Sequence, residues 1–161
     1  MSHQEIDDFF KEYVFKFMFS DIQREINLAR AQTGGGNFLA ALGLLCYTEV
    51  LGRIKQENFL GGKVSSRANF NDFFNDIGPA YLSFNQSVNV YDVFRCGMAH
   101  EYLVKRNCQI AMLKGNESCG IGQLPDGSYY FVVEKYYDDF SAACKSLYNK
   151  LRARPNPVLP K

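Results

Sequence analysis

Phe38-Leu39-Ala40-Ala41-Leu42-Gly43-Leu44-Leu45-Cys46-Tyr47-Thr48-Glu49-Val50-Leu51-Gly52-Arg53-Ile54-Lys55-Gln56 is the stretch from which the fold is read. Phe38, Leu39, Leu42, Leu44, Leu45, Val50, Leu51 and Ile54 cover most sides of a helix, and a helix that is apolar nearly all round must be enclosed by others. The spacing therefore predicts a helical bundle with Phe38 to about Gln56 at its centre. Glu49 is the conspicuous polar residue of that helix, and a carboxylate there needs a partner. Arg53 offers one at i, i+4, and an arginine or histidine on a neighbouring helix offers another.

On the N-terminal side, Thr33-Gly34-Gly35-Gly36 separates this helix from an earlier one, because glycine carries the largest backbone entropy cost in a helix. No Gly-Lys-Ser/Thr follows the glycines, so they do not form a phosphate-binding loop. The earlier helix opens on Ser2 and Glu5, the Ser-x-x-Glu form of a capping box, and extends to about Gln32. Its apolar set is Ile6, Phe9, Phe10, Tyr13, Val14 and Phe17.

On the C-terminal side, Ser66 or Asn69 caps a third helix carrying Phe70, Phe73, Phe74, Ile77, Tyr81 and Leu82, which Gly78-Pro79 should kink or break. A fourth helix runs from Val90 to about Lys105. Gln109 to Lys114, Gly120 to Leu124 and Tyr129 to Val133 read as three short strands, with Pro125-Asp126-Gly127 as a turn, and predict a small antiparallel meander. A last helix spans about Glu134 to Leu151. The expected architecture is mainly α: a bundle of about five helices with a β meander before the final one, one domain over residues 1–153, and a Pro-rich tail at 154–161.

Composition narrows the function classes. At 47% hydrophobic and 15% aromatic residues the chain can build a core, unlike a disordered chain. Eighteen basic against 17 acidic residues leave a net charge of +1, so any nucleic acid must be held by a local patch rather than a global field. Cys46, Cys96, Cys108, Cys119 and Cys144 form no metal-ligand spacing and are odd in number, which predicts reduced thiols and neither a zinc site nor a disulfide framework. With no signal peptide or membrane span expected, the predicted location is cytoplasmic.

The chemistry concentrates in the fourth helix, at Arg95-Cys96-Gly97-Met98-Ala99-His100-Glu101-Tyr102. An imidazole moves protons near neutrality, and a guanidinium stabilises charge on a phosphate. Together they are the parts of a phosphodiester-cleaving site. In an ideal α-helix Arg95 and His100 lie roughly 140° apart, whereas Arg95 and Tyr102 fall within about 20° of one face. His3 is the only other histidine and sits near the N-terminus. A mechanism needing one histidine as base and another as acid therefore calls for a twofold dimer. Asp92, Cys96 and His100, at i, i+4 and i+8, also make a stripe with the members of a thiol triad, although such groups ordinarily come from separate elements.

Arg95-x4-His100-x-Tyr102 resembles the signature of the HEPN (higher eukaryotes and prokaryotes nucleotide-binding) domains, all-helical bundles marked by Arg-x4-6-His. In its longer form it is similar to that of the HEPN toxins paired with minimal nucleotidyltransferases. The match covers about nine residues, and the helical order agrees over roughly the first 105. The resemblance implies a metal-independent endoribonuclease that acts as a homodimer, needs no cofactor and belongs to a toxin–antitoxin or defence system. It gives His100 the role of general acid or base and Arg95 that of stabilising the phosphorane. It makes Tyr102 a position that contacts RNA or is modified by a nucleotidyltransferase-type antitoxin. Glu49 and Cys96 are candidate binding or regulatory neighbours. Cys96 departs from the pattern, since a polar residue, often Asn, ordinarily follows the arginine; that departure suits a HEPN-like module that binds nucleotide or RNA, or assembles with protein, without cutting.

Overall fold

Every fourth residue of the first helix is buried: Ile6, Phe10, Val14, Met18, Ile22 and Ile26. A pure α-helix would rotate such a series around its axis by about 40° per step. The computed structural model, which describes residues 2–56, 64–101 and 107–155, shows how the chain avoids this. Helix α1 (residues 3–30) is α-wound over His3–Asp8 and Phe19–Arg30 but π-wound over Phe9–Met18. Winding with i→i+5 hydrogen bonds turns roughly 80° per residue against 100° in the α-helix, so a mixture of the two averages about 90° and holds a four-residue repeat on one face. The same winding turns Tyr13 and Phe17 outward, 59% and 61% exposed, where the sequence placed them in the core.

The capping box at Ser2 and Glu5 forms as expected, and α1 ends at Arg30, two residues early, where Gln32 adopts a left-handed φ of 56°. Helix α2 (Asn37–Lys55) lies at the centre and touches α1, α3 (Ser66–Ile77), α5 (Tyr91–Glu101) and α6 (Val133–Arg152). By length and composition α2 could cross a membrane, but Ala40, Ala41, Leu44, Leu45, Leu51 and Ile54 are buried inside the bundle. The third predicted helix divides in two. Ser65 caps α3 by accepting from the Ala68 amide, and Pro79 starts α4 (Pro79–Ser87) as a first-turn proline, a position that needs no amide donor. Six helices thus stand among the described residues where about five were expected.

The sheet corrects the expected meander. Strands β1 (Cys108–Ala111), β2 (Ile121–Gln123) and β3 (Tyr129–Val132) are arranged β1-β3-β2, with β1 parallel to β3 and β2 antiparallel to it. The turn fixes only one of these pairings. Gly127, at φ 84°, and the Leu124–Ser128 backbone hydrogen bond close the β2–β3 hairpin. β3 takes the middle because Tyr129, Phe131 and Val132 are buried, and it runs directly into α6. Buried Glu134, at the start of α6, pairs with Arg30 of α1 and accepts from the Lys114 amide at 2.9 Å, tying the sheet to the bundle.

Candidate functional site

Helix α5 repeats the device seen in α1. Val90, Phe94 and Met98 are buried at a spacing of four, and Tyr91–Glu101 is π-wound. Five residues at roughly 80° each bring Arg95 and His100 within roughly 40–50° of one another around the axis, instead of the 140° of an α-helix. The two motif residues thus occupy one side of α5, one turn apart, with His100 exposed near its C-terminal end. Tyr102 lies outside the described residues.

Arg95 is held from α2. Glu49, only 5% exposed, reaches the Arg95 guanidinium at 2.9 Å and that of Arg53 at 3.0 Å, so the in-helix partner and the neighbouring-helix partner are both present. The two contacts differ in kind. Arg53 donates a well-aligned hydrogen bond to Oε1, whereas Oε2 and the Nε of Arg95 have no aligned partner among the described residues despite the short ion-pair distance. Charge attraction therefore positions Arg95 while its Nε stays without an aligned partner among the described residues.

Around this pair the structure gathers residues that the motif did not name. The Tyr91 ring lies 5.9 Å from the Arg95 guanidinium and 5.7 Å from that of Arg67 on α3. Arg67 donates to Asp92 at 2.8 Å, and Asp92 also accepts from Asn89 Nδ2 at 2.7 Å. Tyr91 precedes Arg95 by four residues, a visible helical pairing; Arg67 and Asp92, 25 residues apart, carry no such signal.

The same contacts account for the thiols. Asp92, the acid of the Asp92-Cys96-His100 stripe, is instead engaged by Arg67 and Asn89. Burial is the main cause raising the Tyr91 phenol, with Cys96 and Glu49 adding to it and Arg95 opposing. Burial likewise pushes the Cys46 thiol up against the opposing Arg95 charge, and pushes Cys108 up to about 12. Cys46 and Cys108 thus stay protonated at neutral pH, the form that is a poor nucleophile. Among the described residues no three His, Cys, Asp or Glu side chains converge as metal ligands.

Comparison of the chain with known protein families, curated proteins and solved structures finds no match.

Glu49→Ala is expected to cost about 1–3 kcal/mol, because it strips a buried counter-charge from Arg95, while Arg53, with 43% of its side chain exposed, can turn to solvent. Chemical denaturation measures this, and Glu49→Gln should recover part of the loss. A loss under about 0.5 kcal/mol for Glu49→Ala would show that the pair is not a positioning contact.

Proposed function

We propose that this chain is a HEPN-like, metal-independent endoribonuclease that works as a homodimer in the cytoplasm, as a toxin or defence component. The observation that carries the reading is the π-wound α5, which sets Arg95 and His100 on one side of a helix, the cation anchored by buried Glu49 and the imidazole exposed. In this mechanism one His100 takes the proton of a ribose 2'-hydroxyl as its oxygen attacks the adjacent phosphorus. The 5'-oxygen of the next nucleotide leaves and takes a proton from His100 of the second copy. Arg95 stabilises the charge that builds on the phosphorane oxygens. The products are a 2',3'-cyclic phosphate and a free 5'-hydroxyl. Tyr102, two residues beyond His100, is in this reading the position that contacts RNA or that a nucleotidyltransferase-type antitoxin modifies.

A second reading, a HEPN-like module that binds RNA or nucleotide without cutting, draws on the Glu49–Arg95 pair, which offsets part of the arginine's charge, and on Cys96 in place of a polar amide. Incubating the purified protein with single-stranded RNA in excess chelator separates the two. The ribonuclease reading expects cleavage with 2',3'-cyclic ends. Binding without turnover supports the non-catalytic module, and cleavage that stops on chelation overturns the metal-independent mechanism.

A further inference from the structure

We infer that Arg67 and Tyr91 form, beside Arg95, a second phosphate subsite for single-stranded RNA, which holds the phosphodiester neighbouring the one that Arg95 and His100 act on. The assignment of the ligand as RNA rests on the ribonuclease reading; the subsite itself rests on the geometry around Tyr91. Arg67 is fixed from two directions, by Asp92 at 2.8 Å and by the Tyr91 ring at 5.7 Å, yet half of its side chain is exposed. A guanidinium carries five N–H donors in a rigid fork, and a single carboxylate contact leaves the rest available to phosphate oxygens. Because the group is already oriented, little side-chain freedom remains to be lost on binding.

The charge balance points the same way. Arg53, Arg67 and Arg95 stand against Glu49 and Asp92, which leaves an excess of positive charge at this place on a chain whose net charge is only +1. Asp92 accepts from Arg67 and Asn89, so the carboxylate nearest the subsite is already paired. Arg67 and Arg95 lie within 6 Å of one ring centre, hence less than about 12 Å apart, a distance that a step of one or two nucleotides spans. Guanidinium groups lie against the Tyr91 ring, so Tyr91 orients cations and is not a platform for base stacking. The subsite therefore reads the backbone and is indifferent to sequence.

The test uses the full chain and a 2'-O-methylated oligouridylate of about ten nucleotides, which lacks the attacking hydroxyl and matches the site sizes of single-strand binders. Fluorescence anisotropy gives affinity as a function of salt. Arg67→Gln is expected to weaken binding roughly five- to tenfold at about 50 mM salt and to lower the slope of log affinity against log salt by about 0.7, the signature of one lost phosphate contact. Arg67→Lys should restore most of the slope, and Lys16→Gln on α1 should leave both quantities unchanged. Unaltered affinity and slope in Arg67→Gln overturn the subsite, as does failure of the unsubstituted protein to bind the oligonucleotide. Arg67-dependent binding without cleavage of ordinary RNA would retain the subsite and remove the ribonuclease; cleavage with no Arg67 effect on binding would do the reverse.

Discussion

On the proposed ribonuclease reading, His100→Ala is expected to lower RNA cleavage by about 10²–10⁴-fold, the usual contribution of a positioned acid–base group, while thermal stability stays within about 0.5 kcal/mol because the side chain is exposed. The stability arm matters, since a substitution that merely unfolded α5 would also remove activity. The two-chain mechanism adds a sharper consequence. If one cleavage event uses the histidines of both copies, mixing His100→Ala chains into the unsubstituted protein under subunit exchange lowers activity as the square of the unsubstituted fraction. A linear decline would mean that each chain cuts alone, and the dimeric mechanism would fall. Arg95→Ala should bring a comparable loss, because the cation acts on charge that exists only in the transition state.

How far the sequence discloses such a site depends on the period used to read it. At 100° per residue Arg95 and His100 diverge, and Tyr13 and Phe17 fall on the apolar face of α1; both conclusions fail for one reason. The corrective signal was present in Ile6, Phe10, Val14, Met18, Ile22 and Ile26, and again in Val90, Phe94 and Met98, whose spacing of four is too long for a straight α-helix. The central position of α2 and the demand of Glu49 for a cation were legible because an all-round apolar helix has one stable placement, with its lone carboxylate inside. The parallel β1–β3 pairing was not. Pro125-Asp126-Gly127 specifies only the hairpin that it closes, and the connection from Met112 to Gly120 carries no turn chemistry that fixes which edge of β3 the earlier strand joins. Arg67 escaped for a related reason, since its role arises from packing between α3 and α5.

That packing is what Gly52→Ala is expected to break. A Cβ at Gly52 would stand 1.8 Å from the Asn69 carbonyl oxygen and 2.5 Å from its carbon, so α2 and α3 meet backbone to backbone at this point. A side chain could swing away from such a contact; a helix carbonyl cannot, and α3 as a whole must retreat. Phe70, Phe73 and Phe74 on α3 are fully buried, so the retreat opens the core around three aromatic rings. Alanine recovers about 1 kcal/mol of helix propensity, which the separation outweighs; the net loss is expected at about 3–5 kcal/mol, or roughly 10–15 °C in melting temperature for a domain of this size. Gly43 on the same helix supplies the contrast. A Cβ there meets only Ile22 Cδ1, at 3.6 Å, and Gly43→Ala should stabilise by about 0.5–1 kcal/mol. Equal melting temperatures for the two variants would refute the close approach. Because Arg53 adjoins Gly52 and reaches Ser66 on α3 at 3.3 Å, the same retreat pulls Arg67 from Tyr91 and loosens the clamp on Arg95. Any activity in Gly52→Ala should therefore fall further than the folded fraction does, and this excess measures how strictly the α2–α3 contact sets the geometry of the arginines.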